Sequence, residues 1–443
     1  MKNTRQIAFE ILYKVQSQSS YSNLLLDSYL EKYELSTLDK KYISALVYGV
    51  IERIKLLDYN LSLYLKQPLK KLKPQVLTVL RLGAYQIFFM DKVHSAAAVN
   101  ESVKLTKNNK CQYASGLVNA VLRNVSKNSL KYPDENDENY LSIKYSCEKW
   151  ICDEFIKNYG KEETVNILEN SIGSVPVYLR VNTLKTDTDK LVEVLEKENV
   201  VCEKINSISS ALKIKLQGNP ANTTAYKDGL FHVQDLSSQI CCNLVDAKEN
   251  EKVLDVCAAP GGKSFTISQY MNNKGQLVSC DIYEHRLKLI ENGASRLGIS
   301  IIQTKVNDTS KNNDTFSEFD RVLCDVPCSG LGIIRRKPEI RYKLKEDIDK
   351  LPDLQYDIMC ISSKYVKLGG MLVYSTCTLN YDENERNCER FLKEHKEFKA
   401  VDINGFSEFG KVKGNMINIL PGKCDTDGFF VALFERKSIC GED

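Results

Sequence analysis

A chain of 443 residues has room for two or three domains with real cores, and its 43% hydrophobic and 27% charged residues exclude a disordered polymer. No apolar run is long enough to span a bilayer, and the start MKNTRQIAFEIL lacks the apolar stretch of a signal peptide, so a cytoplasmic protein without membrane contact is expected. The net charge of +3 hides an asymmetry: residues 1–130 carry 19 Lys+Arg against 9 Asp+Glu, or +10, leaving −7 for the rest. A basic first third suits a polyanion such as RNA, and equally suits a lysine-coated helical surface.

In chain order, residues 4–125 place apolar residues at three- and four-residue steps in IAFEILYKV, YISALVYGVIERI and VLTVLRLGAYQIFFM. Helices are the expected outcome, punctuated by Pro68 and Pro74 and closed by SGLVNAVLRNV. The acidic KYPDENDENY, 131–140, reads as a linker. Residues 141–235 mix helical segments (KWICDEFIKNYG, TDTDKLVEVLEKENV) with strands (VPVYLRVNTLK, ALKIKLQG), which predicts a small α+β domain. From 236 to 437 short apolar runs ending in polar loops alternate with helical segments, the pattern of a mainly parallel, doubly wound α/β sheet. Ligands of such sheets bind beyond the carboxyl ends of the strands, where Asp255, Asp281, Asp325 and Cys377 all fall.

The turn VLDVCAAPGGKS, 253–264, is built of small residues between a strand and a helix. Its candidate ligand-contacting residues are Cys257, Ala258, Ala259, Pro260, Gly261, Gly262 and Lys263, with helix N-terminal N–H groups suited to a carboxylate. The spacing is neither a P-loop nor GxGxxG. Asp281, 20 residues past Gly261, is placed to accept two ribose hydroxyl hydrogen bonds. An amino-acid end plus a ribose fits S-adenosylmethionine. Asp308, in KVNDTS, is a candidate for the adenine amino group and equally a surface acid.

Fifteen cysteines in a chain without an export signal read as free thiols, many of them packing residues like Cys241 and Cys242. With no CxxC pair and four histidines, no metal site is expected. Two cysteines stand apart. Cys328 lies in FDRVLCDVPCSGLG, 319–332, and Cys377 in LVYSTCTLN, 372–380, each just after a strand of the same sheet. Sequence physics does not decide which of them would attack a substrate.

DVCAAPGGKS, DIYEHRLKLIENGASRLG, DVPCSGLGIIRRKPEIRY, LVYSTCTLNYDENE and LPGKCDTDGFF together resemble the successive motifs of the RNA cytosine-C5 methyltransferases related to Fmu/Sun and the nucleolar protein family. The N-terminal third resembles the RNA-binding factor NusB. The resemblance implies a class I (Rossmann-like) methyltransferase domain over 236–437, a NusB-like helical domain over 1–130 and a small middle domain over 141–235. It implies methylation of a cytosine in small-subunit (16S) ribosomal RNA; the same chemistry on transfer RNA is an alternative that the sequence leaves open, and a monomer is expected. Cys377 would be the nucleophile, Cys328 would assist its release, and Asp325 would bond the base's N3/N4 edge. The 257–263 loop, Asp281, Asp308 and Asp325 would contact or neighbour the cofactor. Lys263 would help make the attacking sulfur a thiolate. RNA contacts would come from the basic helical domain and from RRKPEIRYKLK, 335–345. A different class of function, a non-catalytic RNA-binding assembly factor, is disfavoured by the intact loop, acids and thiols.

Overall fold

The computed structural model describes residues 3–18, 22–216, 218–313 and 316–437. They form two compact units: one runs through Gly173 and takes in Ile334–Leu344, the other comprises Ser174–Ile333 and the chain from Lys345 onward.

The first unit is helical: α1 (Thr4–Gln18), α2 (Ser22–Lys32), α3 (Thr37–Ile51), α4 (Ile54–Ser62), α5 (Pro74–Phe89), α6 (Ser95–Asn108), α7 (Ser115–Ser126), α8 (Tyr140–Lys144), α9 (Lys149–Tyr159) and α10 (Lys161–Glu169). The starts follow local chemistry. Ser36 caps α3 by accepting from Asp39 N, and α5 opens on Pro74, whose missing N–H is no loss in a first turn. In α3, Ile43, Leu46, Val47 and Val50 recur at helical spacing and are fully buried against Ile7, Ile11, Leu80 and Leu122. Lysines that the charge count registered, such as Lys66, Lys70 and Lys71, stay off this core.

The segment 334–344 corrects one expectation. Within the basic run expected to touch RNA, Arg341 is 0% exposed. Its guanidinium donates to Glu52 O at 3.0 Å, Tyr145 O at 2.9 Å, Ser171 O at 2.8 Å and Pro338 O at 3.1 Å. The first three carbonyls lie at the C-terminal ends of α3, α8 and α10, where backbone oxygens lack helical partners and the dipole is negative. Tyr342 OH donates to Ile51 O at 2.6 Å and accepts from Ile54 N at 3.1 Å, bridging the α3–α4 turn. Arg341 and Tyr342 are therefore fasteners of the helical unit, not RNA contacts. A positive charge that reads as surface on the sequence is used inside, as a shared cap.

The second unit holds two sheets. The smaller is antiparallel: β1 (Val177–Val181), β2 (Val201–Lys204), β3 (Ala211–Lys215) and β4 (Phe231–Val233), in the order β2-β3-β1-β4. It is backed by α11 (Thr188–Lys197), capped by Asp187 on Lys190 N, with α12 (Thr224–Lys227) before β4. The larger has β5 (Lys252–Asp255), β6 (Gln276–Asp281), β7 (Ile302–Val306), β8 (Phe319–Asp325), β9 (Val366–Thr376), β10 (Phe398–Ala400), β11 (Gly410–Lys413), β12 (Met416–Ile419) and β13 (Phe429–Arg436). Its order is β11-β12-β13-β9-β8-β5-β6-β7 with β10 on β13. Strands β7, β6, β5, β8 and β9 are parallel and β13 is antiparallel to β9, as the alternating pattern predicts.

Side-chain alternation feeds two cores. Val253, Leu323, Val373 and Val431 pack on one face with α13 (Leu236–Val245) and α14 (Gly262–Tyr270). Leu254, Val322, Tyr374 and Phe430 pack on the other with α16 (Leu351–Ser363) and α17 (Glu385–Glu394); α15 (Glu284–Leu297) joins β6 to β7. Cys241 and Cys242 are buried in the first of these cores, as expected of packing residues, and burial pushes Cys242 up to about 12. Among the described residues no helix is long and apolar enough to cross a membrane, and all fourteen cysteines are free.

Candidate active site

Parallel strands of one sheet end on the same side, so β5, β6, β8 and β9 deliver Asp255, Asp281, Asp325 and the turn after Thr376 to one rim. After β5 the chain turns through 257–261 into α14. Gly261 takes φ of +107°, and a Cβ there would come within 2.6 Å of the Phe265 ring, so the turn needs glycine.

A cavity of about 220 Å³ opens over this turn. It brings together Cys257, Ala258, Ala259, Pro260, Gly262, Lys263 and Asp325 of the expected set. It also holds Asp255, expected at a strand end, and adds residues that sequence reasoning missed: Val233, Gln234, Asp235 and Ser238 from the end of β4 and the start of α13. Asp255 is 1% exposed; Ser264 Oγ donates to its Oδ2 at 2.7 Å, and its Oδ1 has no partner. Burial pushes its carboxyl up to about 7. Cys257, although in the loop, bonds Thr309 Oγ1 at 3.6 Å and is pushed by burial up to about 12, which makes it an unreactive thiol.

Lys263 Nζ donates to Asp325 Oδ2 at 2.7 Å, Ser375 Oγ donates to Asp325 Oδ1 at 2.9 Å, and the ammonium lies 5.0 Å over the Phe429 ring. Burial works to lower the Lys263 ammonium, but the Asp325 charge and hydrogen bond, together with the neighbouring Cys241 and Cys242, outweigh it and raise the group, so it stays a cation. Lys263 thus orients Asp325.

Asp281 and Asp308 stand at the ends of the next two strands, outside the cavity's lining. The Asp281 carboxylate is held by Tyr283 N at 3.1 Å and by the Arg286 guanidinium at 2.8 Å. The same Arg286 donates to Ala259 O at 2.9 Å, tying the β6 rim to the glycine turn. Asp308 is engaged locally: hydrogen bonds from Ser310 and Lys311 hold its carboxyl below the usual range.

The two singled-out thiols meet. Cys328 Sγ and Cys377 Sγ are 3.1 Å apart. Their loops are stitched by Ser329 Oγ to Thr378 Oγ1 at 2.7 Å and by Gly332 N donating to Cys377 O at 3.0 Å. Gly332 also accepts from Gly428 N at 2.8 Å, and a Cβ on it would meet Gly428 O at 2.1 Å, so only glycine allows the approach. Beneath lies Glu383, 0% exposed, whose Oε2 accepts from Ser329 N and Gln355 Nε2, both at 2.8 Å. The hydrogen bond to Cys377, then burial, then the charges of Cys377 and Glu383 raise Cys328 well above an ordinary thiol. Burial and the Glu383 charge thus favour the protonated form of Cys328, while either sulfur of the pair can be the donor.

A glycine turn after β5, an acid at the end of β6 and paired thiols beyond β8 and β9 thus share one rim of a Rossmann-like sheet. Residues 242–435 match the model of the 16S rRNA methyltransferase RsmB/F family, 148–219 its ferredoxin-like domain and 2–127 the NusB family. A Bacillus subtilis protein named probable ribosomal RNA small subunit methyltransferase B is 36% identical over 99% of this chain and 100% of its own length. A Synechocystis protein of the same name is 33% identical over 98% and 100%. The crystal structure of PH0851 aligns with a TM-score of 0.83 at 25% identity, covering 98% of this chain and 99% of that one. The chain belongs to the RsmB/F family of 16S rRNA methyltransferases.

Asp281→Ala tests the cofactor rim. If Asp281 bonds two ribose hydroxyls, removing two charge-assisted hydrogen bonds of about 1.5–3 kcal/mol each should weaken S-adenosylmethionine binding by more than about tenfold. Calorimetry on a variant with an unchanged melting profile checks this; unchanged affinity would remove Asp281 from the site.

Proposed function

We propose that the protein methylates carbon 5 of a cytosine in 16S ribosomal RNA, with S-adenosylmethionine as donor and a covalent bond between Cys377 and carbon 6 of the base. The observation that carries this reading is the thiol pair, 3.1 Å apart and next along the sheet from the Lys263–Asp325 ion pair.

The cavity's chemistry fits the cofactor. The N-terminus of α14 suits its carboxylate, the Asp235 carboxylate and the Asp255 Oδ1 left without a partner suit its ammonium, and Asp281, at the end of the neighbouring β6, suits its ribose. When bound, S-adenosylmethionine supplies the electrophilic methyl group that carbon 5 takes. The protein's part is to make carbon 5 nucleophilic. Cys377, as a thiolate after losing its proton to solvent, adds through Sγ to carbon 6, giving carbon 5 enamine character, while Asp325 accepts a hydrogen bond from the exocyclic N4–H. Release needs the carbon-5 proton to leave, after which the sulfur–carbon bond breaks and the ring double bond returns. Cys328, held against Cys377, assists that step. A Cys328 held protonated by burial and the Glu383 charge is consistent with Cys377 as the attacking sulfur.

The target base must leave its stack to reach these sulfurs. The N-terminal module, 1–130 and similar to NusB, supplies RNA affinity in this reading, and the enzyme works as a cytoplasmic monomer on free or partly assembled small-subunit RNA. Bisulfite mapping of ribosomal RNA from cells with and without the gene tests the whole proposal. One 5-methylcytosine in 16S RNA is expected to vanish with the gene. Loss of a transfer-RNA mark instead would move the substrate, and no change in any RNA would favour a non-catalytic assembly factor.

A further inference from the structure

We propose that Glu383 is a positioning residue for this reaction: clamped on the peptide N–H that follows Cys328, it aims that thiol at Cys377 and sets a negative charge beside it. The inference rests on the proposed roles of the two cysteines. A carboxylate at 0% exposure is costly unless its oxygens are used, and Oε2 accepts from both Ser329 N and Gln355 Nε2. The clamp has a second anchor, because Gln355 Nε2 also donates to Pro327 O at 2.9 Å, fixing the peptide on the other side of Cys328. Tyr374 OH donates to Glu383 O at 2.6 Å, and Thr376 Oγ1 donates to Asn384 Oδ1 at 2.6 Å, so the 380–384 turn is fastened to β9. The carboxylate and both cysteine loops thus form one rigid piece.

The groups facing Cys328 from the surrounding elements are Cys377 at the end of β9, Glu383 in the following turn and Tyr374 on β9, with Gly330 N the opposing donor. None of these is a cation, and Lys263 is committed to Asp325. Glu383 therefore works in one direction, keeping the proton on Cys328. Two consequences follow for the reaction. Before attack, a protonated Cys328 donates to Cys377 and leaves it the acceptor. After methyl transfer, Cys328 must give that proton to solvent before its thiolate takes the one on carbon 5 and Cys377 leaves carbon 6 as a thiolate, so release should speed up as pH rises through the Cys328 titration, and its conjugate base is the stronger for Glu383.

The test reads Cys328 directly. Full-length Cys377→Ala protein, without RNA, is alkylated with iodoacetamide across a pH series, and the Cys328 peptide is followed by mass spectrometry. Its midpoint is expected above the ~8.5 of an ordinary thiol. Adding Glu383→Gln, which keeps an acceptor for Ser329 N but removes the charge, should lower the midpoint. Gln355→Leu in the same background loosens the clamp but keeps the charge, and should leave the midpoint in place. An unmoved midpoint in folded Glu383→Gln protein, or an equal drop in Gln355→Leu, overturns the proposal. Should the Glu383 variant not fold, a Cys328 midpoint at or below the ordinary value in Cys377→Ala alone overturns it. With otherwise wild-type enzyme and RNA, Glu383→Gln should also shift the pH dependence of the covalent RNA–protein fraction downward by a similar amount. Absence of any covalent species in wild type and in Cys328→Ala would instead defeat the cysteine roles themselves, whatever the alkylation shows.

Discussion

Cys377→Ala is expected to lose methyl transfer by more than about a thousandfold and to release RNA cleanly, whereas Cys328→Ala is expected to trap RNA on the protein. The two failures differ because bond formation and bond breaking are separate steps. Without the Cys377 sulfur nothing adds to carbon 6, and carbon 5 stays a poor nucleophile. Without Cys328 the addition and methyl transfer still occur, but the carbon-5 proton is removed slowly and the sulfur–carbon bond persists. The trapped species should run as a shifted band on a denaturing gel and disappear on nuclease treatment. Either variant should fold, since removing one sulfur leaves Ser329–Thr378, Ser329–Glu383 and Gly332–Cys377 backbone ties in place. A band with Cys377→Ala and none with Cys328→Ala would reverse the roles and make the proline-flanked thiol the nucleophile.

What the sequence made legible is local. Apolar spacing located α3, α5 and α7, alternation and strand-end acids located β6, β8 and β9, and small residues located the turn before α14. Those signals concern a residue and its near neighbours, and they survive folding. The short strands β2, β4, β10, β11 and β12, three or four residues each, carry too little pattern and exist because longer strands pair with them. The site was legible in the same uneven way. Two thiols after two strands could be foreseen near one rim, but not their 3.1 Å approach, which depends on the parallel pairing of β8 with β9. Glu383 was hidden in the acidic stretch YDENE, where a buried carboxylate and solvated ones look alike. Asp255 was visible as a strand-end acid, yet its place in one cavity wall with Asp325 depends on the pairing of β5 with β8.

Arg341 shows the opposite error, and it carries the largest expected effect on stability. Its sequence setting, between Lys337 and Lys345 in a basic run, reads as a solvated or RNA-facing cation. Its side chain instead reaches the ends of α3, α8 and α10 and gives four hydrogen bonds to carbonyls at 2.8–3.1 Å. Arg341→Met keeps most of the volume but strands those buried oxygens, and removes the only charge that this segment places against three negative helix ends at once. Unpaired buried acceptors cost about 1–3 kcal/mol each when water does not replace the donor, and loss of the dipole interaction adds up to ~2 kcal/mol. Relaxation and water entry reduce the sum, so a loss of about 3–5 kcal/mol in the helical unit is expected. Arg341→Lys, with one ammonium in place of a planar fork, should recover only part of it, because three donors on one nitrogen do not span carbonyls arranged around a guanidinium. Urea unfolding followed by Trp150, whose Nε1 donates to Lys343 O at 2.9 Å in the same segment, reports on this unit specifically. The midpoint should fall steeply for Met and less for Lys, while S-adenosylmethionine affinity should be retained. A variant with wild-type stability and weakened RNA binding would return Arg341 to the surface role that its neighbours in the sequence suggest.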